Sequence, residues 1–245
     1  MMFKHALAIL LLVFAGIGAW SQTTAAVQSG QMMTFRELLT IRNIQLTEPS
    51  LIAALQNPDS QVRAWSALVL AEDKQTDAIP PISKALQSET VPEAKAGIAL
   101  ALGQLRDQQG FATLKDMCSA SSTPPYVRVY ATMYLLALDD ESCLNTVFEV
   151  LQSNANSGLR TLAFSQLSRF HKLSQVDSER VATATLKALT DETPAMRIAA
   201  AKAVSGFSSA IAVPALQSAI AKEQIEAVKV QMQSSLQRLR EQETH

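Results

Sequence analysis

Histidine, cysteine and glycine are all scarce in this chain, and each scarcity removes a class of chemistry. Of three histidines, His5 and His245 lie at or near the termini, which leaves His171 in "RFHKL" as the internal imidazole. No nucleophile elbow accompanies it, so His171 reads as a solvated or partly packed side chain rather than a catalytic base. Cys118 and Cys143 are the only cysteines. Without a Cys-x-x-Cys, a His pair at helical spacing or a compact acidic loop, a conventional zinc or calcium site has no support. The eight glycines form no phosphate-cradling loop. The sequence therefore assigns no catalytic residue, no metal ligand and no cofactor. Charge of one sign is missing too, with 21 Lys+Arg against 22 Asp+Glu, so no global field draws the chain to nucleic acid.

Long hydrophobic runs are absent except at the N-terminus. There Lys4 precedes an apolar run of 14 residues, Ala6 to Ala19, followed by a short polar stretch from Trp20 to Ala26 with small residues. That order is the grammar of a secretory signal, cut after Ala19 or Ala26. The run falls short of the roughly 20 apolar residues of a spanning helix. We therefore expect residues 1–26 to be removed, the mature chain to be exported to the periplasm or secreted, and no stable membrane insertion to remain. Loss of Lys4 leaves 20 Lys+Arg against 22 Asp+Glu, a net charge of −2.

What the sequence does contain is a repeat. The pairs Val62-Arg63, Ala94-Lys95, Val127-Arg128, Leu159-Arg160, Met196-Arg197 and Val228-Lys229 recur with spacings of 32, 33, 32, 37 and 32 between their basic members. Three residues beyond each cation come Ser66, Ile98, Ala131, Ala163, Ala200 and Met232, and seven beyond come Leu70, Leu102, Leu135, Leu167, Val204 and Leu236. With the residue before the cation, these columns form the i, i+4, i+8 stripe of an amphipathic helix. Six before each cation stand Asn57, Glu89, Ser122, Asn154, Asp191 and Glu223, all polar. Pro92, Pro125 and Pro194 fall three before it, where a proline in the first turn forfeits no intrahelical donor. Asp59, Asn156 and Thr193 are natural N-caps. Upstream of every such helix lies a shorter apolar-periodic segment, such as "SLIAALQ" or "LNTVFEVLQ". Each unit is a helix, a tight turn and a second helix, and stacked units share one core.

The signatures "NPDSQVRAWSALVLAE", "ETVPEAKAGIALALGQL", "SSTPPYVRVYATMYLLAL" and "DETPAMRIAAAKAV" resemble the HEAT repeat family, in particular its short bacterial variety of the phycobilisome lyase type. Tetratricopeptide repeats have a similar period, but their tryptophan, glycine, tyrosine and proline columns are missing. The resemblance implies an all-α, right-handed α-solenoid of about six helix-turn-helix repeats over residues 47–240. It also implies that Arg63, Lys95, Arg128, Arg160, Arg197 and Lys229 form a structural ladder with turn groups such as Asp59, Glu89 and Asp191. Residues 27–46 then serve as linker and capping helix, where Thr34 and Glu37 spell a capping box, and 241–245 as a tail.

The repeat register places Cys118 late in one first helix and Cys143 at the start of the next. These are opposite ends of parallel elements, so buried or partly buried thiols are expected, with a bridge as the alternative. Asp139, Asp140 and Glu141 are expected to cap the helix that follows them. Between the core columns, the second helices carry an excess of apolar residues. Either these pack between repeats, or Trp65, Tyr130, Met133 and Tyr134, with Tyr126 at the rim, form an exposed patch that docks a partner. The functional expectation is a non-catalytic exported scaffold that binds an unidentified protein or peptide, with a lyase or accessory subunit as the alternative that the family resemblance raises.

Overall fold

The computed structural model describes residues 33–152, 157–167, 173–204 and 207–243. The expected signal segment, Asn154, Asn156 and His171 lie outside them. Among the described residues the chain is all helical, an α-repeat solenoid without strands. Thirteen α-helices follow one another: α1 (Phe35–Ile41), α2 (Glu48–Ala54), α3 (Ser60–Glu72), α4 (Ile79–Ser88), α5 (Pro92–Gln104), α6 (Gln108–Ser119), α7 (Pro125–Ala137), α8 (Leu144–Gln152), α9 (Ser157–Leu167), α10 (Gln175–Ala188), α11 (Pro194–Ala203), α12 (Ser209–Lys222) and α13 (Glu226–Glu243). After α1 they pair into hairpins, and the chain divides into two compact units between Cys143 and Leu144.

The first unit holds α1 and the hairpins α2/α3, α4/α5 and α6/α7. Its second helices stack, α3 on α5 and α5 on α7, and α1 packs on α3. The capping box at α1 is formed in both directions, Glu37 N–H donating to Thr34 Oγ1 and Thr34 N–H to Glu37 Oε2. Phe35 and Leu39 are buried beneath this helix, whereas Ile41 faces solvent at 65% exposure. Pro92, Pro125 and Pro194 open α5, α7 and α11 in the first turn, as their missing N–H and preset φ favour. Asp59 caps α3 by accepting from Gln61 N–H, whereas Thr193 makes no side-chain cap bond, and its own N–H is taken by Asp191.

The core columns lie where the spacing puts them. Ser66, Ile98, Ala131, Ala163, Ala200 and Met232 are all buried, as are Leu70, Leu102, Leu135, Leu167 and Val204. Leu159 and Leu236 are half-buried. Each fully buried Leu or Ile contributes about 1.5–3 kcal/mol relative to exposure, so the register is fixed many times over.

Four residues with positive φ close second helices and the cap: Asn43 at 58°, Lys74 at 55°, Arg106 at 65° and Asp139 at 63°. Each is followed by a backbone bond back across the helix end, Ile44 to Leu39, Gln75 to Leu70, Asp107 to Leu102 and Asp140 to Leu135. These are Schellman closures built without glycine.

Cys118 and Cys143 are joined in a disulfide, with Cα atoms 6.3 Å apart, which corrects the expectation of free thiols. The chain between α7 and α8 doubles back along α7 before α8 begins. Arg128 Nε donates to Cys118 O at 2.9 Å, and Thr132 Oγ1, one turn further along α7, donates to Cys143 O at 3.4 Å. The two cysteines are thus level against the same helix. Asp140 holds this segment down by pairing with Lys115 at 2.9 Å and accepting from Ser142 N–H.

The second unit holds the hairpins α8/α9, α10/α11 and α12/α13, with α9 on α11 and α11 on α13. Phe164, Leu189, Met196, Ala200, Val204 and Leu216 belong to its own continuous core.

Candidate functional site

Trp65, Tyr130, Met133 and Tyr134 are buried, at 3%, 8%, 2% and 2% exposure, and do not form an exposed docking patch. The reason is all-round burial of the second helices in the first unit. In α3 every residue from Ala64 to Ala71 is buried, and α5 and α7 repeat the pattern from Ala96 to Gly103 and from Val129 to Leu136. Trp65 also carries the Arg42 guanidinium over its ring, 5.0 Å from the centroid. Burial pushes the Tyr134 phenol well above the ordinary tyrosine range. Tyr126, at the rim, donates its hydroxyl to Glu93 and meets Tyr130 edge-on at 6.1 Å. The Glu93 hydrogen bond, helped by partial burial, raises the Tyr126 pKa to about 12.

The basic column has a defined geometry. Arg63 donates from Nε and Nη2 to Glu89 at 2.7 and 2.8 Å, and from Nη1 to the carbonyls of Asn57 and Pro58 at 2.7 and 3.1 Å. Arg197 repeats every element of this, with Glu223 as its acid and the carbonyls of Asp191 and Glu192 as its own turn. Arg160 reaches Asp191. In each case the acid stands six residues before the next repeat's cation, and the Arg63 and Arg197 rungs join their own turn to the turn that follows. Asp59 is not a rung: it caps α3 and lies 3.7 Å from Arg42.

The same rule explains the other members of the column. The position Lys95 would address holds Ser122, which carries no charge, and Lys229 stands in the sixth unit of the column. Neither lysine forms an ion pair among the described residues. A lysine point charge could not make the bidentate fork in any case. Arg128 instead serves the disulfide segment through Cys118 O. Burial pushes the Glu89 carboxyl up, but the Arg63 fork and the Val91 and Thr90 N–H groups outweigh it and hold it below its usual value. Glu223 is lowered chiefly by Arg197, against some burial. Asp191 is raised by burial and lowered further by Thr193 N–H and Arg160, for a net lowering.

An open site lies elsewhere, in the second unit. A cleft of about 550 Å³ runs between α8 and α10 over a floor that includes Phe164 and Met196. Val176, Glu179, Arg180, Thr183, Ala184 and Lys187 line one wall at helical spacing, and Phe148, Leu151 and Gln152 form the other. Arg180 bridges the walls. Its guanidinium sits 4.0 Å from the Phe148 ring centroid and donates to Asn145 at 2.9 Å and Asp177 at 2.7 Å. Val176 is 67% exposed, an apolar side chain left open at the cleft. Sequence reading missed this site because most of its lining comes from the first helices α8 and α10, while Arg160, Asp191 and Met196 on the repeat columns carry structural assignments.

Among the described residues no group of three or more His, Cys, Asp or Glu could hold a metal ion. No described helix is long and apolar enough to cross a membrane.

Residues 48–123 match the family model for HEAT repeats. The matched stretch begins with α2 and runs to the turn before α7. No curated protein matches the chain. Among solved structures, an engineered protein is similar at 19% identity and a TM-score of 0.44, over 78% of this chain and 96% of that one. The complex of CpcE and CpcF of phycocyanin lyase from Nostoc sp. PCC7120 is similar at 15% identity and a TM-score of 0.40, over 80% and 95%. Human deoxyhypusine hydroxylase in complex with glycerol is similar at 17% identity and a TM-score of 0.33, over 97% and 96%.

Proposed function

We propose that this chain is a non-catalytic repeat scaffold that is exported, to the periplasm or beyond, and there holds a protein or peptide partner. The observation that carries this reading is the rung geometry. Arg63 and Arg197 each tie two successive turns with a bidentate fork and two carbonyl bonds. Such bonds hold hairpins in a preset relation, and a preset surface loses little entropy when a partner docks. The Cys118–Cys143 bond supports export, since disulfides persist in oxidising compartments. The binding surface belongs with the open cleft of the second unit rather than with the buried aromatic set of the first.

Two measurements test the proposal. N-terminal sequencing of the chain recovered from the envelope or medium should begin at residue 20 or 27. A chain retained in the cytoplasm with Met1 intact contradicts export. Affinity capture with the mature chain should retain a defined envelope protein in stoichiometric amount, and elution of the chain alone from native extracts contradicts the scaffold.

A further inference from the structure

We propose that the Cys118–Cys143 bond is a redox latch, opened by thiol attack at Cys143, which holds the connector 138–143 against α7 only while the chain is oxidised. The connector is not helical, and Asp139 and Ser142 face solvent while Cys143 is buried. The ties that accompany the bond are weak. Lys115 and Asp140 pair at 2.9 Å with side chains 46% and 20% exposed, and an ion pair so open to water contributes little. Thr132 Oγ1 meets Cys143 O at 3.4 Å, long for a hydroxyl donor. Ser142 N–H turns inward to Asp140 of the same segment and so anchors nothing outside it.

The two sulfurs are not equivalent. Cys118, on α6, has no exposed surface, whereas Cys143 shows 7% and sits in the connector rather than in a helix. A thiolate attacks the sulfur it can reach, here that of Cys143. Cys118 is furnished as the departing group, its Sγ 3.0 Å from Lys115 O and 3.6 Å from Ser119 Oγ. Within the bond this sulfur carries no proton, so it donates to the Lys115 carbonyl only once released as a thiol. The reductant is a dithiol, either a protein with paired cysteines or a small reagent. Its first thiolate bonds to Cys143 Sγ as the Cys118–Cys143 bond breaks, and the electron pair leaves on Cys118, which takes a proton from water. The second thiolate then displaces Cys143 as a thiol. The chain gains two electrons and two protons, and the reductant ends as its own disulfide. The freed connector lifts from α7 and opens the α6/α7 hairpin at its outgoing end.

The test starts from the oxidised mature chain. Brief exposure to glutathione, an acid quench and mass spectrometry should place glutathione on Cys143 roughly tenfold more often than on Cys118. Full reduction with dithiothreitol should leave the helical spectrum intact and speed amide exchange over residues 139–143 roughly tenfold or more, a larger change than in α3. The double variant Cys118→Ser, Cys143→Ser, which needs no reductant, should match the reduced parent, and re-oxidation of the parent should restore slow exchange. Glutathione on Cys118, or equally on both cysteines, overturns entry at Cys143. Unchanged exchange over 139–143 in the reduced parent and in the double variant overturns the latch. Reduction no faster than global unfolding overturns it too, as does loss of the helical spectrum on reduction, because both mark a structural staple instead of a switch.

Discussion

Arg197 donates four hydrogen bonds, two to Glu223 and two to carbonyls of its own turn. Its side chain and that of Glu223 are 14% and 3% exposed. Truncating it strands a carboxylate and two carbonyls together. We expect Arg197→Ala to cost about 2–4 kcal/mol in urea unfolding, with Arg63→Ala alike and Arg197→Lys milder. A variant with native stability would show that the rung is ornamental. The same groups set an acid limit. Glu89, Glu223 and Asp191 all have folded pKa values below their ordinary ones. Each therefore stabilises the fold fully above its unfolded pKa, near 4, and loses that contribution as pH falls through its lower folded value. Glu72 runs the other way, since burial raises it despite Arg36. Stability should be level from neutral pH to about 5 and fall below about 4. Glu223→Gln should flatten part of that fall, and an acid-independent profile would contradict the assignment.

Elements show why some features could be read from the sequence and others could not. The second helices announced themselves because a stripe at −1, +3 and +7 from a cation must be buried in every repeat, and Ile98, Ala131 and Ala200 are. The helix ends gave no such signal. Lys74 and Arg106 occupy left-handed positions that glycine usually marks, and nothing in their side chains betrays it. The disulfide was hidden for a related reason: it depends on where the connector after α7 runs, not on helical phase. Gly110 presents the opposite case, a residue forced by packing. A Cβ added there would lie 2.4 Å from Ala99 O and 2.5 Å from Gly103 N. Both are backbone atoms of α5, which cannot swing aside. Gly110→Ala should destabilise by about 1–3 kcal/mol and separate α6 from α5, measurable as faster amide exchange in both helices. For the disulfide, 25 residues separate its cysteines in sequence, and closing a loop of that size is worth about 3.5 kcal/mol in the chain-entropy account. Reduction or Cys143→Ser should lower stability by that order, and an unchanged melting curve after reduction would refute the role.

At the scale of the molecule, the division after Cys143 leaves each unit with its own stacked second helices and its own core. The first unit also keeps its cap α1 and both cysteines. Residues 33–143 should therefore fold alone when oxidised, giving a helical spectrum and one cooperative thermal transition. A broad, non-cooperative melt would mean that the first unit needs the second. The candidate site was less legible than the fold at this scale. Bulky aromatics such as Tyr130 and Tyr134 suggested an interface, but the same residues fill the first unit's interior. Composition cannot separate those uses, because apolar area that suits a partner also suits a neighbouring repeat.

The direction of the rungs carries one more consequence. Arg63 takes its acid from Glu89, Arg160 from Asp191 and Arg197 from Glu223, so at these three joints one repeat gives a cation forwards and the next a carboxylate backwards. A tandem duplication that copies one whole period, from such an acid to the residue before the next, inserts a matched donor and acceptor at once. Copying the period from Asp191 to Lys222 therefore lengthens the array without stranding a charge, while deleting the period that begins at Glu89 leaves Arg63 facing the uncharged Ser122.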